Sequence, residues 1–152
     1  MDMMVVYDFL THRSSWAQGR SFEAVRTSME NSICFGAIDS TEKLLGFGRV
    51  VTDTAVFAWI MDVFVLEEYR RKGIGSSIVN AMMVHPKLQR LQRWGLVTRD
   101  MHPLYEKFGF KSLKRPEMFM EMGYKAHKRQ HGCIQAPASD ILQINLSKES
   151  EE

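Results

Sequence analysis

Apolar and polar positions alternate along this chain in two distinct rhythms, and each predicts a different kind of element. In residues 3–10, Val6, Phe9 and Leu10 fall on one helical face, and in residues 22–30 Phe22, Val25 and Met29 do the same. Between them THRSSWAQGRS is polar and glycine-containing, a loop that carries one large aromatic, Trp16. SICFGAI predicts a short strand, DSTEK a turn and LLGFGRVV a second strand. A turn at Thr52-Asp53-Thr54 leads into VFAWIMDVFVL, apolar for most of its length, which calls for a central strand or one bent in the middle. SSIVNAMMVH returns to helical spacing with Ile78, Val79 and Met82 inward, and Pro86 stops it.

The remainder reads as a polar connector KLQRLQR, a strand WGLVT, and a helix over 102–108 with Asp100 as N-cap and Pro103 in its first turn. Gly109 ends that helix, Phe110 starts another strand, and MFMEM forms a last one. The resulting order is α+β, with antiparallel hairpins first and a parallel crossover in the middle. Residues 1–122 make one domain, and 123–152 a C-terminal extension of different texture. That extension is expected to be partly mobile, with ILQIN at 141–145 as an extra edge strand.

Bulk properties narrow the function classes. The chain has 152 residues, 45% apolar and 25% charged, the profile of a globular protein of one domain. A net charge of +2 does not by itself imply nucleic acid, and the basic segment KAHKRQHG reads as a solvated face. Cys34 and Cys133 have neither metal-ligand spacing nor a disulfide framework, so no metal site is expected and a cytoplasmic setting fits. No apolar run reaches the ~20 residues of a membrane span, and the N-terminus lacks the basic stretch of a secretory leader.

The segment YRRKGIGS, residues 69–76, concentrates the candidate chemistry. A glycine-rich turn feeding a helix presents several backbone N–H groups at the positive end of the helix dipole. Gly73 and Gly75 let an anion approach the backbone, while Arg70, Arg71 and Lys72 raise the local potential. Neither a Walker loop nor a G-x-G-x-x-G dinucleotide fingerprint is present. The spacing alone favours a phosphate cradle over a solvated turn only slightly.

Arg70, Gly73 and Gly75 fill an Arg/Gln-x-x-Gly-x-Gly pattern that resembles the acyl-CoA pyrophosphate loop of the Gcn5-related N-acetyltransferase (GNAT) superfamily. DVFVLEEYRRKGIG resembles its fourth strand, loop and third helix, and LYEKFGF, following in the expected order, its later helix–strand motif. The resemblance implies an α/β/α-layered fold with a mixed, mostly antiparallel sheet and a splayed central parallel pair. It implies acetyl-CoA as the acyl donor and direct attack by a primary amine, on a small molecule or a peptide, in a ternary complex. It also allows a non-catalytic acyl-CoA sensor of the same fold, and a homodimer.

Carried onto this sequence, the resemblance assigns Tyr105 as general acid and Asp62 as the acid that takes the amine proton. It assigns Val63, Phe64 and Val65 to the pantetheine arm, and Arg70, Arg71, Lys72, Gly73, Ile74, Gly75 and Ser76 to the diphosphate. Thr98, where relatives often have an asparagine, is assigned to the cofactor through its hydroxyl, and Met61 stands where they often have a glutamate. The first two helices should roof an acceptor pocket near His12, Trp16 and Asp53, with Arg13 and Ser15 beside them. The family's usual first strand has no counterpart before the first helix, and ILQIN is the candidate to cover that sheet edge.

Overall fold

The computed structural model describes residues 2–122. A compact unit closes at Ser112, and a second begins at Leu113. In the first, a sheet of order β1-β2-β3-β4 is built from Ile33–Ile38, Leu44–Thr52, Phe57–Val65 and Arg93–Leu96. β1, β2 and β3 pair antiparallel, and β4 runs parallel to β3.

Helix α1, Met3–Asp8, is capped by Asp2, whose carboxylate accepts the amide N–H groups of Met4 and Val5. It does not run on regularly through residue 10: the chain widens into a π-turn over Phe9–Arg13, closed by Ser14 N–H on the Phe9 carbonyl at 2.9 Å. Helix α2, Phe22–Glu30, begins at Ser21, whose hydroxyl accepts Ala24 N–H. These elements cover one face of the sheet around Val6, Phe9, Leu10, Val25, Phe47 and Phe64. Helices α3, Ile74–Val84, and α4, His102–Glu106, cover the other, around Val50, Ile60, Ile78, Val79, Met82 and Tyr105. The layered α+β architecture is the expected one, and each fully buried Phe or Leu in it contributes about 1.5–3 kcal/mol.

The long apolar strand is indeed bent. Phe47 faces Phe64 and Arg49 faces Met61, so Asp62 and Val63 together oppose Gly48 in a β-bulge. Asp62 sits at φ +55°, in the left-handed region. Side-chain parity inverts there: Ala58 and Ile60 pack toward α3, whereas beyond the bulge Val63 and Val65 do, and Phe64 turns to the opposite core. Gly48 fits closely opposite the bulge: a Cβ there would lie 2.6 Å from the Met82 Cε and 3.0 Å from a Val63 methyl, so the end of Met82 would have to shift.

Three sequence expectations need correction. Asp100 does not cap α4; Met101 occupies the N-cap position, and its N–H donates to the Thr98 hydroxyl at 3.1 Å. Phe110 does not open a strand, because it folds back on Tyr105, with its N–H 3.3 Å from the Tyr105 carbonyl and the rings edge-on at 6.0 Å. MFMEM is not a strand either. Pro116 starts a 3-10 turn over Pro116–Met118, and the side chains that follow are exposed instead of alternating in burial. The connector KLQRLQR is also less polar than it reads, since Leu88 is buried against the α3 core. The proposed strand at 141–145 and the C-terminal extension from residue 123 lie outside the described residues.

Candidate active site

β3 and β4 pair only as far as Ile60 opposite Leu96. β4 stops there, while β3 continues to Val65, so the two strands part and the last residues of β3 have no strand partner on that side among the described residues. A cleft of about 790 Å³ opens beside the parted strands. Val63, Phe64 and Val65 form its floor, the glycine turn and first turn of α3 one wall, and α4 with Tyr105 another. The π-turn and the loop after it supply Phe9, Arg13, Ser15 and Trp16 to the remaining side.

The glycine turn is shaped for an anion. Gly73, at φ +80°, is the N-cap of α3 and offers no side chain to the helix amides. The first backbone bond of the helix is Ser77 N–H to the Gly73 carbonyl at 3.0 Å, so the amides of Ile74, Gly75 and Ser76 precede the helical ladder. A Cβ on Gly73 would meet nothing within 4 Å, which leaves the approach to these amides open. The cations of the motif divide their roles. Arg70 donates from Nε to the Val65 carbonyl at 3.0 Å and pairs with Glu67, tying the turn to the end of β3. Lys72 stands over the Tyr69 ring at 5.5 Å, with Lys43 also over that ring at 5.2 Å. Arg71, on the cleft wall at φ +62°, makes no ion pair among the described residues.

Tyr105 is 8% exposed and lines the cleft. Burial pushes its phenol above the usual value, so the hydroxyl is protonated throughout the neutral range. Pro103 in the first turn and the Thr98-anchored N-cap set the direction of α4, and Phe110 packs against the ring. Thr98 itself does not line the cleft; its hydroxyl is spent on the helix start.

Asp62 lies beneath the site instead of in it. Its side chain is 1% exposed, and Oδ2 accepts from Arg49 Nε and from an Arg20 guanidinium nitrogen, each at 2.8 Å. Its other oxygen accepts the Trp16 indole N–H at 3.2 Å. Of the residues expected around the acceptor, only Trp16, with its neighbours Arg13 and Ser15, reaches the cleft. His12 is exposed beside Asp8, and Asp53 caps the β2–β3 turn by accepting the amides of Ala55, Val56 and Phe57. Those amides hold the Asp53 carboxyl below its ordinary value.

Sequence reasoning missed Phe9, Tyr69, Met101, Leu104 and Lys107 as cleft residues. Tyr69, Leu104 and Lys107 lie inside the two recognised motifs but were assigned no role; Phe9 had only an apolar helical position to mark it. Among the described residues no cluster of His, Cys, Asp or Glu could hold a metal ion. Nor is any helix among them long and apolar enough to cross a membrane.

Comparison with known proteins agrees with this geometry. The family model for the acetyltransferase (GNAT) domain matches residues 30–112. A GNAT-family protein from Xanthomonas campestris pv. campestris superposes with a TM-score of 0.78 at 34% identity, covering 83% of this chain and 88% of that one. A protein of unknown function from meticillin-resistant Staphylococcus aureus, a probable acetyltransferase, gives 0.66 at 24% identity, covering 81% and 96%. An acetyltransferase-like protein from Deinococcus radiodurans R1 gives 0.62 at 19%, covering 86% and 87%. No curated protein matches the sequence. A glycine turn opening a helix, a strand pair parted beside it and a match over more than half the chain lead to one assignment: this chain belongs to the GNAT family of acetyltransferases.

Proposed function

We propose that the chain transfers an acetyl group from acetyl-CoA to a primary amine, on a small molecule or a peptide, with both substrates held in the cleft at once. The observation that supports it is the meeting, in one cleft, of ladder-free amides at the start of α3, an unpaired β3 edge and a buried phenol. Acetyl-CoA supplies the acyl group as an activated thioester when bound. The residues present fit such a donor. The amides of Ile74, Gly75 and Ser76, with Arg71, would hold its phosphates, and the β3 edge at Val63 and the Val65 N–H would pair with an extended, amide-bearing arm, the Val65 carbonyl being held by Arg70.

Tyr105 keeps a proton on Oη at neutral pH and is the group placed to give it to a departing thiolate, whose ordinary pKa of about 8.5 lies below that of a phenol, about 10. Asp62 has its oxygens engaged by Arg49, Arg20 and Trp16, so it orients this side of the cleft. The amine enters neutral, and as C–N forms and C–S breaks its nitrogen sheds one proton to solvent, from which the phenol is reprotonated. A cytoplasmic setting accords with the free thiol of Cys34.

The test is calorimetric titration with acetyl-CoA followed by thiol release on a panel of amines. Binding together with amine-dependent thiol release is the expected result. Binding without release would turn the reading toward an acyl-CoA sensor, and absence of binding would overturn it.

A further inference from the structure

Trp16 presents a physical anomaly. An indole is a large apolar group, yet it is 54% exposed while lining a cleft, although the apolar cores of the protein lie close by. It is also not loose. Its N–H is held by the Asp62 carboxylate, which is itself fixed by two guanidinium groups and seated at the bulge of β3. Arg20, at the other end of the same loop, bonds the same carboxylate, and the Arg20 carbonyl accepts from the Thr11 hydroxyl at 2.8 Å. The loop that carries Trp16 is thus anchored on both sides of the ring.

The ring continues an aromatic series. Phe64 of the cleft floor stacks on Phe9, and Phe9 packs against Trp16 with centroids 6.5 Å apart. The acids of this rim are already paired. Asp8, Arg13, Glu67 and Arg70 form an alternating chain of ion pairs along this rim, two acids against two bases. Asp100 before α4 and Lys107 just after it also line the cleft, one acid and one base. Arg71, without an ion pair among the described residues, belongs to the glycine turn. Beneath the ring, Asp62 faces two guanidinium groups, Arg20 and Arg49, so this half of the cleft offers a fixed apolar plane and no uncompensated negative charge.

We infer that Trp16 is the specificity-determining residue of the acceptor half, that Asp62 is its positioning residue through the indole N–H, and that the acceptor is an amine carrying a flat apolar body. The inference rests on the acetyl-transfer reading for the word acceptor, but binding of the amine can be measured without turnover. A polyamine gains little here, because Asp8 and Glu67 are already neutralised by arginines. A planar apolar amine gains by covering the exposed indole face, an interaction whose orientation is set before the ligand arrives.

The experiment is calorimetry of phenethylamine and spermidine against the full chain, alone and saturated with CoA. Phenethylamine should bind at least about ten-fold tighter than spermidine, and Trp16→Ala should remove that preference. Trp16→Phe keeps a flat face without the N–H and should fall between the two. Asp62→Asn retains an oxygen acceptor for the indole and should preserve the preference where Asp62→Ala loses it. If the Asp62 variants do not fold, the Trp16 pair decides. Equal phenethylamine affinity in wild type and Trp16→Ala, a preference for spermidine, or no phenethylamine binding overturns the inference. Phenethylamine binding with no affinity for acetyl-CoA would leave the Trp16 site standing and overturn the acetyl-transfer reading instead.

Discussion

The two sides of the cleft are made of different material. The glycine-turn side is backbone: consecutive amides at the start of α3 and an unpaired stretch of β3, both dictated by a run of neighbouring residues. The Trp16 side is side chains, held by bonds between residues far apart in sequence, from the loop to Asp62 of β3 and from Arg49 of β2 to the same carboxylate. A site made of backbone tolerates exchange of its side chains but not a change in its dihedral angles. A site made of side chains behaves in the opposite way, and substitution can separate the two.

The largest effect is expected at Gly73→Asp. The change places a side chain at φ +80°, costing about 1–2 kcal/mol, and a negative charge where an anion should bind. Affinity for acetyl-CoA, measured by calorimetry, should fall beyond about a hundred-fold, with acceptor binding to the free protein unchanged. Retained acetyl-CoA affinity would erase the distinction between the two sides.

Next is Tyr105→Phe, which should lower kcat by about ten- to a hundred-fold while leaving acetyl-CoA affinity intact. The pH profile sharpens it. Since burial raises the phenol's pKa, wild-type turnover should hold past the ordinary phenol value of ~10 before falling. The phenylalanine variant should lack that alkaline fall. The same raised value makes the folded state lose stability as pH climbs from the unfolded phenol's pKa through the folded one. A rate unaffected by the substitution would take Tyr105 out of the chemistry.

Arg20→Ala removes one of two guanidinium partners from Asp62 and should cost about 1.5–3 kcal/mol of stability, read from denaturant midpoints. KM for the acceptor should rise by a few-fold, about the effect of loosening one anchored loop, and acetyl-CoA affinity should not move. An equal loss on both sides would mean that the carboxylate supports the whole cleft.

Asp53→Ala should have the smallest effect, since Asp53 belongs to neither side. It removes the acceptor for three amides of the β2–β3 turn, so melting temperature falls slightly while both affinities stay the same. The lowered carboxyl value means that its contribution is present above the ordinary aspartate pKa and disappears as acid carries the solution through the lowered one. The wild-type and variant melting curves should converge at that acid end.

The same division explains how much could be read from the sequence. The turn at residues 70–76 was legible because two glycines and three cations in a row dictate local geometry, and Tyr105 because Gly109 and Phe110 follow it at a recognisable spacing. The bend in β3 was visible as excess length, but not its location. Nothing in the string IMDVF says that Asp62 adopts a left-handed backbone, because its partners, Arg49, Arg20 and Trp16, come from other elements. His12 and Asp53 were picked by chemical type, and each proved to serve its own segment, a neighbouring acid in one case and a turn in the other. Arg70 belonged to the motif, yet its guanidinium turns back to Val65. The strand expected at Phe110 followed from the glycine before it and that in MFMEM from period-two alternation, and neither signal reveals that Phe110 will fold back on Tyr105 or that Pro116 will start a turn.

The bulge at Asp62 gives β3 two reading frames. Before it, even-numbered residues speak to α3; after it, odd-numbered ones do. Straightening the strand there without losing a residue would carry the first frame to the strand's end, sending Phe64 toward α3 and Val63 and Val65 into the space that Phe9 now fills. The cleft floor and the aromatic core are thus kept apart by one amino acid's backbone angle, and any redesign of this pocket has to carry that residue's conformation along with it.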